Sequence, residues 1–369
     1  MTDAELARLR ELDRHLARGM FGDSSALRAN ADVYYGGLYA LLGKIFPPFA
    51  DLAEKAHSPQ SRSLLRGFAD EAFLRLRDRE ERSDERLRQL VELVAYARSL
   101  EPVPPVPVSA LAPATAGLLR PPTLTDVDDT LGQQLAQRFH AAMAHDGFTV
   151  EIALQEPAAP SQDSVDRAFR LLYACLPTVA PETAALVDGV VLFQGAPHSA
   201  YISATPLVIY LNERVAADPL AGADSVLHES LHQKLVDFGL ARRMLRSGYQ
   251  DAASHRAPVP WGGPGRSFTA DRTLAAFHVY VHLTLLHAVA LLDRDGLGLE
   301  HTESELTDRL AVRWARAAYL GSCFDERDLA AELDVDGAAL VAWLGAVNAE
   351  LGELVLSSGD RLKAVASVE

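Results

Sequence analysis

The sequence predicts a mainly helical α+β protein, with a small sheet packed against one histidine-bearing helix and a helical region at the N-terminus. Apolar residues recur every three to four positions through most of residues 1–100, which is the period of an amphipathic helix. Two runs, Val187–Phe193 and Tyr201–Leu211, are rich in β-branched and aromatic residues, as strands are. Two later apolar segments carry histidines four residues apart, a spacing that places both rings on one helix face.

Prolines divide the chain into segments. Seven of them fall within residues 102–122, and such density predicts an extended, semi-rigid connector or, equally, an ordered strap that lies against the protein. We therefore predict a helical region over 1–100, a Pro-rich connector over 101–123, and a domain over 124–369 that contains both histidine pairs.

Composition narrows the class of protein and its location. The formal net charge of −15 argues against a nucleic-acid partner. Cys175 and Cys323 are the only cysteines and form no Cys-x-x-Cys pair, which favours a reducing cytoplasm. The apolar run Leu274–Leu292 contains three histidines, so we expect a buried helix and no membrane span. Oligomeric state is left open.

The first histidine pair belongs to an H-E-x-x-H motif formed by His228, Glu229 and His232. The predicted helix follows Asp218-Pro219, with Asp224 as its N-cap. On a helix, the two histidines can bind one metal ion while the glutamate lies beside it. The alternative is a helix whose histidines are only packed or solvated.

A third metal ligand decides the chemistry. No glutamate lies between Glu229 and Glu300, and the extended protease motif fails because Leu235 and Phe238 stand where it needs Gly and His. The nearest candidates are His278 and His282 in the second apolar segment. A three-histidine site suits Zn(II) and also Fe(II).

Several other segments complete a pattern that extends over roughly residues 165–295. They are Ser203-Ala204-Thr205-Pro206, the strand Leu207–Leu211, Val226–Leu235 around the motif, Pro260-Trp261, and Phe277–Leu283. Together they resemble the bacterial HExxH-motif family of 2-oxoglutarate/Fe(II)-dependent peptide β-hydroxylases associated with ribosomal peptide natural-product biosynthesis.

The resemblance implies an Fe(II) ion held by His228, His232 and His282, with His278 as the fallback for the third ligand. Glu229 would then orient a ligand or accept a hydrogen bond close to the reacting centre.

The resemblance also implies 2-oxoglutarate and O2 as cosubstrates. Arginines bind carboxylates through two parallel hydrogen bonds, and Arg266 and Arg272 are the candidates for this role. The family's Trp-Arg pair is interrupted here, because four residues separate Trp261 from Arg266. The substrate would be a peptide, with a leader-bearing precursor as one form, and the product would carry a hydroxyl on Cβ.

Other functions remain open at the level of sequence, among them other iron-dependent oxidations such as desaturation or cyclisation. A Zn(II)-dependent HExxH metallopeptidase or other hydrolase would use Glu229 as its general base. A non-enzymatic binding module would use the N-terminal helices to hold a partner, with a structural metal or none.

Overall fold

The computed structural model describes residues 3–50, 52, 58–77, 84–108, 118–124, 129–145, 150–152, 159–263 and 265–357. These residues are mainly helical and include small sheets, which confirms the predicted α+β class. The α-helices are α1 (Asp3–Leu16), α2 (Gly19–Gly22), α3 (Ser24–Gly43), α4 (Pro59–Arg77), α5 (Asp84–Ser99), α6 (Asp129–His145), α7 (Ala159–Cys175), α8 (Val179–Ala184), α9 (Glu213–Ala216), α10 (Pro219–Ala241), α11 (Ala270–Leu292), α12 (Glu303–Ser322), α13 (Arg327–Ala330) and α14 (Val335–Ser357). The strands are β1 (Val106–Pro107), β2 (Leu119–Arg120), β3 (Val150–Ile152), β4 (Gly189–Gly195), β5 (Ser199–Tyr201), β6 (Val208–Asn212), β7 (Ala257–Pro258) and β8 (Ser267–Phe268).

The chain forms two compact units. The first contains the described residues within 1–23, 172–182 and 241–369, and the second contains those within 24–171 and 183–240. The second unit therefore includes residues from all three of the segments predicted from the sequence. That three-segment division stays a prediction.

The second unit is built around a four-stranded sheet with the order β3-β4-β6-β5. Strands β4 and β6 are parallel, with Val190 opposite Ile209. Every residue of β6 is buried, as expected for a central strand covered on both faces. Strand β5 runs antiparallel to β6 and forms one edge of the sheet.

The prediction of one continuous strand over Tyr201–Leu211 is wrong. The chain forms β5, turns, and returns as β6. Pro206 has no backbone N–H to donate to a sheet, and Leu207 has a φ of 68°, in the left-handed region that leucine rarely adopts. Both strands have the same β-branched and aromatic composition, so composition alone gave no sign of the turn between them.

An apolar core joins helices of the second unit to this sheet. Phe139 of α6 stacks on Tyr210 of β6, with ring centroids 4.2 Å apart. The end of the predicted connector is bonded to the sheet, because the Val190 amide of β4 donates to the Pro122 carbonyl at 2.9 Å. Residues 109–117 of the connector lie outside the described residues.

Helix α10 begins earlier than the predicted cap at Asp224. The Asp218 carboxylate accepts hydrogen bonds from the amides of Leu220 at 2.9 Å and Ala221 at 3.3 Å. Pro219 occupies the first helical position, where a missing N–H costs nothing. Asp218 is therefore the residue that caps the helix, and Asp224 lies inside it.

The first unit consists largely of long helices. Helix α11 packs against α1, α12 and α14. Gly321 of α12 permits a close approach, because a Cβ at this position would lie 3.0 Å from the ring of Phe277. The short hairpin β7–β8 precedes α11 in the same unit.

Among the described residues, two helices are long and apolar enough to cross a membrane, α11 and the Val335–Val355 part of α14. In α11 the most apolar window is 83% buried inside the protein, against 39% in α14. Core helices of soluble proteins have the same length and composition, so this is weak evidence for a membrane span.

Candidate metal centre

The HExxH motif lies in the middle of α10, in the second unit. His228 and His232 are one helical turn apart, and their Nε2 atoms are separated by 3.1 Å. The ligand atoms of His228, Glu229 and His232 all lie within 4.8 Å of one another. The predicted convergence of these three side chains is therefore present.

The separation of the two nitrogens fits a shared metal ion. A nitrogen ligand lies about 2.0–2.1 Å from zinc, so two nitrogens on one ion are roughly 2.9–3.4 Å apart in tetrahedral or octahedral geometry. The observed 3.1 Å falls inside this range. Burial and the neighbouring His228 lower the pKa of His232 to about 3. His232 is therefore neutral at pH 7, and neutral imidazole is the form that binds metals.

Glu229 is buried and held by the edge strand β5. Its Oε1 accepts a hydrogen bond from Ser199 Oγ at 2.6 Å, and its carboxylate also accepts one from the Tyr201 amide. Burial raises the pKa of Glu229, while His228 and these hydrogen bonds act in the opposite direction. The carboxylate is thus fixed in one orientation beside the two histidines.

A buried polar stripe continues from Glu229 along α10. Gln233 and Asp237 follow at intervals of four residues and are each 1% exposed. Gln233 Oε1 accepts from the Leu207 amide at 2.7 Å, and its Nε2 donates to Asp237 Oδ1 at 2.9 Å. Glu229 therefore holds the start of the β5–β6 hairpin and Gln233 holds its turn, where Leu207 is in the left-handed conformation.

Replacing Gln233 by leucine is expected to destabilise the protein by about 1–3 kcal/mol, because the buried Leu207 amide loses its acceptor. Urea unfolding measures this change. Gln133→Leu, at an exposed position of α6 in the same unit, is the control and should change stability by less than about 0.5 kcal/mol. Equal stability of the two variants would show that Gln233 does not hold the turn.

Asp237 makes stability depend on pH. Burial raises its pKa to about 6, although Arg66 and Gln233 oppose the shift. Because the folded state binds this proton more tightly than the unfolded state, the contribution of Asp237 to stability is expected to fall as pH rises from about 4 to above 6. Asp237→Asn keeps an oxygen for Gln233, and it should be more stable than the wild type by up to about 3 kcal/mol at pH 8.

Thermal unfolding at pH 4 and at pH 8 measures the Asp237 effect. The difference between wild type and Asp237→Asn should be large at pH 8 and small at pH 4. A difference that is the same at both values would mean that Asp237 titrates normally in the folded protein.

The second histidine pair lies on α11, in the first unit. His278 and His282 are each 0% exposed, and their ring centroids are 4.7 Å apart. His282 Nδ1 lies 2.8 Å from the His278 carbonyl oxygen, which can only accept, so Nδ1 carries the hydrogen. The lone pair of neutral His282 is therefore on Nε2, and a backbone contact of this kind is common behind metal-binding histidines.

The predicted cosubstrate arginines also belong to the first unit, and both are exposed. The Arg266 guanidinium carbon lies 5.6 Å from the ring centroid of Phe268. Arg272 is in the first turn of α11, where its amide donates to the Thr269 side chain. The structure thus brings His228, Glu229 and His232 together, while the roles of His282, Arg266 and Arg272 stay predictions.

Sequence reasoning missed Ser199 and Gln233 as residues of this region. The predicted strand starts at Tyr201; Ser203 within it is exposed, and Ser199, just before it, is the serine that contacts Glu229. The signal for Ser199 was present, because residues two apart on a strand face the same way, and Tyr201 is two positions later.

Comparisons with protein-family models and with curated proteins find no match to this chain. The interpretation of the site therefore depends on its residues and their geometry.

Proposed function

We propose that this protein is a cytoplasmic Fe(II)- and 2-oxoglutarate-dependent oxygenase that hydroxylates Cβ of a residue in a peptide, in the maturation of a peptide natural product. The observation that carries the proposal is the pair of histidine nitrogens 3.1 Å apart on α10, with Glu229 held beside them. The choice of reaction comes from the sequence resemblance to HExxH-type peptide hydroxylases.

The residues of α10 have separate roles in this proposal. His228 and His232 would hold the iron, with His282 as the third ligand and His278 as the fallback. Bound iron, with 2-oxoglutarate and O2, supplies the oxidising power that converts a C–H bond into C–OH. Glu229 acts as a positioning group, because its carboxylate already accepts hydrogen bonds from Ser199 and the Tyr201 amide.

The packing of the small sheet against the metal-binding helix is also part of the proposal. Two hydrogen bonds support it: Ser199 of β5 donates to Glu229, and the Leu207 amide donates to Gln233. Strand β5 is an edge strand, and edge strands can pair with an extended peptide. A peptide substrate, including a leader-bearing precursor, would then run past the two histidines.

Arg266 or Arg272 would bind the distal carboxylate of 2-oxoglutarate through paired hydrogen bonds. The 2-oxoglutarate affinity of the Arg266→Ala and Arg272→Ala variants tests this role. A role for either arginine predicts at least a tenfold loss in the corresponding variant. Unchanged affinity in both variants would remove these arginines from the proposal.

A Zn(II)-dependent hydrolase is the second candidate, and one observation favours it. Glu229 lies within 4.8 Å of the histidine nitrogens, and burial raises its pKa, as suits a general base. The two candidates differ in what Glu229 does, because a hydrolase needs it to move a proton and the proposed hydroxylase needs it only for orientation.

Substitution of Glu229 by glutamine separates the two candidates. Glutamine keeps an oxygen that can accept the Ser199 hydrogen bond but cannot act as a base. We expect Glu229→Gln to retain bound iron and measurable succinate formation from 2-oxoglutarate, whereas His228→Ala loses both. If Glu229→Gln kept its metal and lost all turnover, the hydrolase would be the better interpretation.

The third ligand is tested by iron content. His282→Ala is expected to lose stoichiometric iron, and His278→Ala to retain it. Full iron in His282→Ala would refute this ligand and turn attention to His278.

A further inference from the structure

Positive charge is concentrated in part of the first unit. Residues 255–292 and 309–323 contain a single acidic residue, Asp271, although the whole chain has a formal net charge of −15. These segments contain six arginines, namely Arg256, Arg266, Arg272, Arg309, Arg313 and Arg316. The segments are also joined in space, because α11 packs on α12 and the Tyr319 hydroxyl donates to the Pro258 carbonyl at 2.7 Å.

Arg316 of α12 lies beside two aromatic side chains. Its Nη1 donates to the Tyr280 hydroxyl at 2.8 Å. Its guanidinium carbon lies 5.1 Å from the centroid of Trp261 and 5.5 Å from that of Tyr280, which are cation–π distances. Trp261 is itself fixed by an edge-on contact with Tyr319 at 5.6 Å. The guanidinium is therefore pre-oriented by contacts on its face and at one of its nitrogens.

No carboxylate of the described residues pairs with Arg316. Other part-buried arginines of this protein do have such partners: Arg28 and Arg62 bind Asp188, and Arg138 binds Glu71. Guanidinium has five N–H donors, and the Tyr280 hydroxyl uses only one of them. The remaining donors form a planar fork that matches a carboxylate.

We propose that Arg316, with Trp261 beside it, binds a carboxylate of an acidic peptide segment. The inference rests on the proposed function only in naming a peptide, and it deepens that function by giving the charge of the substrate. An acidic peptide would be repelled by a chain of net charge −15 except at a local concentration of arginine. The indole of Trp261 adds apolar contact area of the kind that peptide-binding surfaces use.

This site lies on a different side of α11 from the buried histidines. Successive helical residues are about 100° apart, so Tyr280 projects roughly opposite to His278 and His282. Binding at Arg316 therefore does not require metal, and it can be measured without turnover.

The test is fluorescence anisotropy of a labelled glutamate-rich peptide with metal-free protein, beside a glutamine-rich peptide of the same length. We expect the wild type to prefer the glutamate-rich peptide and Arg316→Ala to weaken its binding roughly 10- to 100-fold. Arg316→Lys, which keeps the charge without the planar fork, should lie between them. Arg294→Ala, at an arginine paired with its neighbour Asp295 in the same unit, is the charge-matched control and should bind as the wild type does.

Four results would overturn the inference. Two concern direct binding: equal binding of the two peptides, or unchanged binding of the glutamate-rich peptide to Arg316→Ala. The other two concern competition for the labelled peptide: an oligonucleotide that competes as strongly as unlabelled glutamate-rich peptide, or free glutarate that displaces it equally well at the same carboxylate concentration. If Arg316→Ala does not fold, Arg316→Lys and Tyr280→Phe replace it, and unchanged binding in both contradicts the site. If His228→Ala still binds the acidic peptide, the peptide site at Arg316 does not depend on the proposed metal site, and the two proposals can be tested separately.

Discussion

Alanine at His228 or at His232 is expected to remove metal binding. Each substitution deletes one of the two nitrogens that lie 3.1 Å apart on α10, and it therefore removes one of the three proposed histidine ligands. Loss of a residue that hydrogen-bonds to a metal ligand typically lowers metal affinity 10–100-fold, so loss of a ligand itself should lower it at least about 100-fold. Metal content after dialysis against Fe(II), and separately against Zn(II), measures the effect.

The matched control for both histidines is His140→Ala, at an exposed position of α6 in the same unit. It should retain the metal content of the wild type. Bound metal also raises the unfolding temperature, since it binds only the folded state. That increase should be present in the wild type and in His140→Ala and absent from both motif variants. Stoichiometric metal in His228→Ala or His232→Ala would mean that the motif does not form the site.

Asp188→Ala is expected to cause a large loss of stability, about 3 kcal/mol. The Asp188 carboxylate is 3% exposed and pairs with Arg62 at 2.5 Å and with Arg28 at 2.6 Å. Removing the acid leaves two part-buried guanidinium groups without their counter-ion, and breaking a buried ion pair from one side costs about 3–5 kcal/mol. We expect the lower end of this energy range because the Arg28 and Arg62 side chains are 30% and 20% exposed.

Urea unfolding of the metal-free protein measures the Asp188 effect. Asp163→Ala, at an exposed acid of α7 in the same unit, serves as the control and should change stability by less than about 0.5 kcal/mol. A loss below about 1 kcal/mol in Asp188→Ala would show that water replaces the carboxylate around both arginines.

The motif helix and its two histidines could be predicted because they depend on local spacing. Side chains four residues apart share a helix face wherever the helix lies in the fold. The start of the helix was misplaced because Asp218 and Asp224 are equally suitable capping residues by type. The structure selects Asp218, whose carboxylate reaches the Leu220 amide at 2.9 Å.

The contacts around Glu229 and Gln233 could not be predicted, because they depend on a turn. Composition favours a strand on both sides of Pro206, and only the backbone reveals that Leu207 is left-handed and that the chain reverses there. Once β5 and β6 form a hairpin, Ser199 and the Leu207 amide reach Glu229 and Gln233. A third metal ligand is harder still to predict, because the proposed residue, His282, is fifty residues beyond His232 and no local pattern joins them.

The visible spectrum of the protein with Fe(II) and 2-oxoglutarate, recorded without oxygen, decides between an iron oxygenase and a hydrolase. We predict an absorption band that appears only when both are added to the metal-free protein and that is absent from His228→Ala. Absence of the band in the wild type, together with tight binding of Zn(II), would contradict the oxygenase and make Glu229 the general base of a hydrolase.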